Sequence, residues 1–290
     1  MESTIHPQID FNMKKQLSLC LAVLALAIGP TTVTHAQMPP LPLWELGAFA
    51  GFAGTPAYPG SADRASRALV LPVFVYRGEV FRAERGNVGA RLFSNDDAEL
   101  DVGFAASLPA TSDDLTSRKG MSDLGTLVEF GPRVKFTLAR PAPGTRVRLE
   151  LPLRAVLEFN GGVRQQGYAF EPELGLEVRD VGDGWSLGAA ASLVFGDKDL
   201  NNYFYGVAAP YATAARPAFD AQAGLIMSRL GLNLAKSLAP DVRVFGFVRH
   251  ELLDGAANKA SPLFQQTTGT SIGVGLLWTL ARSEQRAVVR

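Results

Sequence analysis

Residues 146–158 alternate between two chemistries. Val147, Leu149, Leu151, Leu153, Ala155 and Leu157 fall on one parity, and Arg146, Arg148, Glu150, Arg154 and Glu158 fall on the other. Successive side chains of an extended chain point to opposite sides, so this pattern predicts a β-strand with one greasy and one ionic face. The pattern recurs. Leu100, Val102, Phe104, Ala106 and Leu108 oppose Glu99, Asp101, Gly103, Ala105 and Ser107, and Ile272, Val274, Leu276, Trp278 and Leu280 oppose Ser271, Gly273, Gly275 and Thr279. Residues 173–179 set Leu174, Leu176 and Val178 against Glu173, Glu177 and Arg179, and residues 185–195 set Trp185, Leu187, Ala189, Ala191, Leu193 and Phe195 against small residues.

Length decides what such strands can build. A strand crossing an outer membrane at a tilt needs about 9–11 residues, whereas strands of soluble proteins most often have about five or six. The alternation predicts strands over 44–53, 67–77, 79–93 (broken near Gly86), 97–108, 124–139, 145–159, 167–180, 184–196, 203–209, 220–236, 240–253 and 269–281. Asp183-Gly184 and Pro141-Ala142-Pro143-Gly144 read as tight turns, and Tyr58-Pro59-Gly60 as a type II turn, with Pro fixing φ first and Gly supplying positive φ second. Longer polar stretches at 111–120, 197–202 and 255–261 alternate with these turns, as in outer-membrane barrels with short turns at one end and longer loops at the other. The expected fold is all-β, an antiparallel transmembrane β-barrel of about 10–12 strands. Closure is forced by the solvent, since lipid offers no partner to an open sheet edge. Leu151→Arg would place a charge at mid-bilayer and cost about 2–4 kcal/mol. A soluble barrel with its apolar face inward is the competing fold.

Residues 13–36 read as an export signal. Lys14 and Lys15 precede an apolar run from Leu17 to Ile28, and Thr34-His35-Ala36 offers small residues for cleavage. The run is too short to span a bilayer as a helix, which needs roughly 20 residues. The mature chain is expected to begin at Gln37, leaving residues 37–290 as one barrel domain. Residues 1–12 do not fit the signal, and Met13 would serve as initiator. Cys20 lies inside the signal and is not placed for lipid attachment, because Leu19 precedes it where a small residue is needed. The destination is the cell outer membrane, with its lipid as the first partner.

Chemistry-bearing motifs are sparse. Lys and Arg balance Asp and Glu at 28 each, which argues against nucleic acid as a partner. The mature chain holds one histidine, His250. A lipid deacylase of the His-x-Ser kind would want Ser at position 252, where Leu252 stands, and a zinc site lacks donors. Asp197-Lys198-Asp199-Leu200-Asn201-Asn202 clusters oxygen ligands, but calcium needs six to eight, so a solvated loop is expected. Asp113-Asp114 beside Arg118-Lys119 reads as another loop charge cluster. Tyr203, Phe204, Tyr205, Trp44, Phe74, Tyr76 and Trp278 are assigned to core packing or interfacial aromatic girdles. The ionic faces (Arg146, Arg148, Glu150, Arg154, Glu158, Glu177, Arg179) mix both signs, which predicts salt bridges plugging a narrow barrel. No catalytic residue, cofactor or metal ligand is expected.

Several segments together carry a resemblance. Ala57-Tyr58-Pro59-Gly60-Ser61 follows a glycine-rich opening strand and precedes Leu71-Pro72-Val73-Phe74-Val75-Tyr76. Next come Asn202-Tyr203-Phe204-Tyr205-Gly206-Val207, Ala215-Arg216-Pro217-Ala218-Phe219-Asp220-Ala221 with Gly224, and Leu252-Leu253-Asp254-Gly255-Ala256-Ala257-Asn258-Lys259-Ala260-Ser261-Pro262-Leu263. In order and spacing these resemble the MipA/OmpV family of outer-membrane proteins. The resemblance implies a non-enzymatic barrel that scaffolds a lytic transglycosylase and a murein synthase, or that presents surface loops. A small pore or solute-binding barrel is the alternative, and an outer-membrane hydrolase ranks below it. Two features depart from the pattern. The last strand ends at Trp278-Thr279-Leu280 with an arginine-bearing tail (Arg282, Arg286, Arg290) beyond it, and the chain starts early at Met1.

Overall fold

Alternation becomes geometry in the computed structural model, which describes residues 41–290 except 79–80, 85–86, 96, 108, 180 and 288–290. The expected extension 1–12, the signal 13–36 and Cys20 lie outside the described residues. Thirteen antiparallel segments follow in chain order. They are β1 (Trp44–Pro56), β2 (Arg64–Arg77), β3 (Phe81–Glu84), β4 (Asn87–Ser94), β5 (Ala98–Ser107), β6 (Thr126–Ala139), β7 (Thr145–Phe159), β8 (Val163–Phe170), β9 (Glu173–Arg179), β10 (Trp185–Gly196), β11 (Gly224–Ala239), β12 (Val242–Leu252) and β13 (Thr268–Arg282). Among the described residues one α-helix, α1 (Lys198–Tyr205), interrupts them.

The segments form a ring. β13 pairs with β1, and β10 pairs with β11, so the sheet returns on itself. β8 and β9 both lie between β7 and β10, one above the other. Thirteen segments therefore fill twelve positions, an even number as in bacterial outer-membrane barrels. The break between β8 and β9 falls at Glu171-Pro172, where the expectation was one strand over 167–180. Proline lacks the N–H that a ladder needs there. Pro72 lies where β2 has β1 as its partner, since β2 pairs with β3 only at Tyr76 and Arg77.

The two faces separate as the sequence requires. Outward lie Val70, Leu153, Leu187, Leu232, Val274 and Trp278, all exposed. Two aromatic bands border this apolar surface. Trp278 and Phe74 stand near the short-turn end, and Phe104, Phe130, Tyr168 and Phe170 near the loop end, with Phe104 and Phe130 stacked at 6.1 Å. Such bands sit at the headgroup level of a bilayer. Tyr203, Phe204 and Tyr205 do not join them, because their segment is the helix α1 and not the strand expected over 203–209.

Inward lie the charges. Arg133 grips Asp101 through Nε and Nη2 at 2.9 and 2.8 Å, Lys135 reaches Asp101 and Glu99 at 2.6 and 3.0 Å, and Arg133 also reaches Glu150 at 3.3 Å. A second ladder centres on Glu171, which meets Arg154, Arg229 (2.7 Å) and Ser192 (3.1 Å). Glu129 pairs with Arg154 at 2.8 Å. The expected ionic lumen is therefore present along β5–β11. The sector made by β12, β13 and β1 differs: the stacked Phe49 and Phe245 rings and the Phe247 ring lie over Gly51, Gly273 and Gly275.

The connections mostly sort by length, the three-residue turn after β7 at the loop end being an exception. Turns after β6, β9 and β11 are short, whereas the loops after β1, β5, β10 and β12 share the opposite end. Trp185 N–H bonds Gly182 O at 3.2 Å with Asp183 and Gly184 both at positive φ, which is the expected tight hairpin.

Candidate functional site

The segments that carry the family resemblance are far apart in sequence, yet they meet in one cap of loops. Its first piece is the Tyr58-Pro59-Gly60 turn. Ser61 N–H bonds Tyr58 O at 3.0 Å and Gly60 takes φ +82°, which makes the expected type II turn. Gly60 O then accepts from the N–H groups of Gln265 and Gln266 in the β12–β13 loop. The Tyr58 phenol donates to Leu263 O at 2.7 Å, so the hydroxyl of Ser117, 2.6 Å away, donates to it in turn. Burial pushes the Tyr58 phenol above its ordinary pKa.

The second piece is α1. Asp197 Oδ1 accepts the Leu200 N–H at 2.9 Å, the standard N-cap arrangement, with Asp199 in the first turn. The expected solvated loop at 197–202 is thus a capped helix start, and the Asp followed by a short apolar period was its signal. Helix α1 enters the barrel mouth. Leu200 and Tyr205 join one buried cluster with Leu127, Val156, Ala169, Val194 and Met227, inward residues of β6, β7, β8, β10 and β11. Gly167 makes room: a Cβ there would lie 2.2 Å from Asp197 Oδ1 and 2.7 Å from Leu200 N. Large apolar side chains buried this fully contribute about 1.5–3 kcal/mol each.

Polar side chains fix the orientation of the cap. Asn258 Nδ2 donates to Asn201 Oδ1 at 2.8 Å, and Asn258 Oδ1 accepts the Gln222 N–H at 2.8 Å. Asn201 Nδ2 donates to the carbonyls of Gly196 and Asp197, both at 2.9 Å. Ser261 Oγ donates to Tyr205 O at 2.7 Å. The Tyr203 phenol donates to Glu158 Oε1 at 3.2 Å, and Glu158 also takes the Gly125 N–H and the Gln166 amide. Burial first, and the Glu158 charge second, push the Tyr203 phenol far up; burial alone dominates for Tyr205. The Tyr205 hydroxyl is buried with no hydrogen-bond partner among the described residues.

Two arginines tie the cap across its segments. Arg216 donates to the carbonyls of Ser117, Lys119 and Tyr211. Arg118 lies buried under the loop with its guanidinium carbon 5.8 Å from the Tyr58 ring centroid. Sequence reading treated Arg118 as part of an exposed charge cluster. Its burial carries no local signal, since the covering residues come from 58 and 203–205. Asn201, expected in a solvated loop, and Asn258, known only as part of a family segment, gave no sign of their contact for the same reason. Asp113, the other side of that cluster, accepts the Gly120 N–H at 3.1 Å.

His250 stands elsewhere, on the outer face of β12, with Nδ1 3.0 Å from Thr270 Oγ1 on β13. Among the described residues no group of three or more His, Cys, Asp or Glu side chains is placed to hold a metal ion. The ionic face of β7 and β9 does assemble: Glu177 meets Arg179 at 2.9 Å and Arg148 at 3.6 Å.

Comparison with solved structures finds barrels of the outer membrane. The translocator domain of the autotransporter NalP from Neisseria meningitidis is 13% identical with a TM-score of 0.41, covering 92% of this chain and 95% of that one. Outer membrane phospholipase A from Escherichia coli, in an active-site mutant form, is 12% identical with a TM-score of 0.37, covering 85% and 94%. The NanC porin is 9% identical with a TM-score of 0.38, covering 81% and 100%. No curated protein matches the sequence. The family model described as MltA-interacting protein MipA matches residues 46–280, which run from β1 to β13 and include every segment of the cap. The closed ring, its greasy exterior and this match together make the chain an outer-membrane β-barrel that belongs to the MipA family of MltA-interacting proteins.

Proposed function

We propose that this barrel is a plugged, non-enzymatic anchor that holds murein-cleaving and murein-synthesising enzymes at the outer membrane. The observation that carries this reading is α1 lodged among inward residues of five strands. A mouth filled by a helix suits a platform more than a conduit. The ionic ladders from Asp101 to Arg229 support it, since lumen side chains paired to each other are not free to select passing ions. The family description names MltA as partner, and the resemblance makes the partner class a lytic transglycosylase. In barrels of this type the short turns face the periplasm. An enzyme there would meet Arg140 with Asp97, Lys236 with Asp183, and Trp185 beneath the Lys236 ammonium at 4.9 Å.

Two measurements test the proposal. In planar bilayers the full chain should show no regular conductance steps, and deletion of residues 198–220 should produce them. Mild crosslinking of intact envelopes should recover a lytic transglycosylase with the chain, and charge reversal at Asp183 and Lys236 should reduce the yield. Steady conductance by the intact chain, with no recovered enzyme, would overturn it. A second reading, a solute-binding barrel, draws on the apolar sector at Phe49, Phe245 and Phe247.

A further inference from the structure

Arg118 is 4% exposed. Its guanidinium carries five N–H donors and a permanent charge. The bonds it makes are few and long: Nε to Ser112 Oγ at 3.4 Å, Nη1 to Phe204 O at 3.3 Å and Nη2 to Ser122 O at 3.3 Å. Charge-assisted bonds of this type normally fall at about 2.7–2.9 Å. All three acceptors are neutral. Among the described residues no carboxylate forms an ion pair with it. Asp123 exerts a weak attraction, but it is exposed and holds the Ser112 N–H at 2.6 Å. Arg216 repels it. A cation buried this far without a counter-charge is costly, and the usual remedy is a partner of opposite sign.

Arg118 is one of the residues lining a cleft of about 600 Å³. That volume lies within the range of small-molecule sites, roughly 300–1,000 Å³. Met121, Val207, Tyr211 and Phe219 supply apolar and aromatic wall. Asp220 also lines the cleft, but its carboxylate is engaged by Lys198 at 2.7 Å and Asn202 at 3.2 Å. The cleft therefore borders one buried cation that has no carboxylate partner among the described residues, beside a surface suited to a ring.

We propose that this cleft binds a small organic carboxylate, with its carboxyl group on Arg118 and its ring against Phe219 and Val207. Arg118 offers the planar pair of donors that a carboxylate accepts bidentately. The apolar wall distinguishes such a ligand from a bare anion. The site is built from the β5–β6 loop, α1 and the segment after it, so it stands whether or not the barrel holds murein enzymes.

The test uses the full chain in detergent micelles, with calorimetric titration of benzoate, its uncharged analogue benzamide and inorganic phosphate against matched micelle blanks. Benzoate is expected to bind at least tenfold tighter than benzamide and than phosphate. Arg118→Gln retains an amide that donates to the carbonyls of Phe204 or Ser122 but removes the charge, and it should weaken benzoate binding about tenfold or more. Ala218→Trp fills the cleft from its exposed rim and keeps the Arg118 side chain and charge, and it should abolish binding even if the first variant loosens the cap. Equal binding of benzoate and benzamide, binding of phosphate as tight as benzoate, no saturable binding, or unchanged affinity in both variants would each overturn the proposal.

Discussion

Asn258 and Asn201, 57 positions apart and both fully buried, join side chain to side chain at 2.8 Å. This bond fastens the β12–β13 loop to α1 and so holds the helix in the barrel mouth. Replacing Asn258 with Leu would leave Asn201 Oδ1, Gln222 N–H and Gln222 O without their partner. The buried Asn201 Oδ1 left unpaired costs about 1–3 kcal/mol, and the part-buried Gln222 groups less. We expect the cap to loosen while the barrel stays closed. Proteases added to intact cells should cut within 197–223 faster in Asn258→Leu, with unchanged far-ultraviolet circular dichroism.

The Tyr205 hydroxyl makes the opposite case. It is buried and without a partner among the described residues, so removing it sacrifices no bond found there. Tyr205→Phe is expected to be neutral or to stabilise by up to about 1 kcal/mol. Urea unfolding in micelles measures this, and a loss of more than about 1 kcal/mol would show that the hydroxyl is bonded in the folded protein.

Tyr58, Tyr203 and Tyr205 all have phenols pushed up by burial. An acid whose pKa is higher folded than unfolded binds its proton more tightly in the folded state. Its stabilisation is complete below the unfolded value near 10 and declines as pH rises beyond it. Absorbance titration should therefore show three of the six tyrosines ionising late, together with opening of the cap, and not along the ordinary phenol curve. Six superimposable ionisations near pH 10 would contradict the burial of the cap.

Leu232 faces outward on β11, between Ala189 and Val248, and is 53% exposed. Exposure here means contact with acyl chains. Leu232→Arg should destabilise the folded barrel by about 2–4 kcal/mol in lipid vesicles, whereas Leu280→Arg, near the end of β13, should cost about 0–1 kcal/mol. Equal penalties at the two depths would mean that this surface does not cross a bilayer.

What the sequence determined alone was the wall. Strict alternation in β5, β7, β10 and β13 told which side chains meet lipid, because an extended backbone forces neighbouring residues to opposite faces. The turn at Tyr58-Pro59-Gly60 and the hairpin at Asp183-Gly184 were legible because their conformations demand those residue types. Tertiary structure decided the interior of the mouth. Residues 203–209 were expected as a strand, yet the Asp197 cap and the inward surfaces of five strands hold 198–205 as a helix. The break at Pro172 had a local signal in the proline itself, whereas the Asn201–Asn258 bond and the burial of Arg118 were hidden, for one physical reason. Each depends on groups tens to hundreds of residues apart, and only closure of the ring brings those groups within bonding distance.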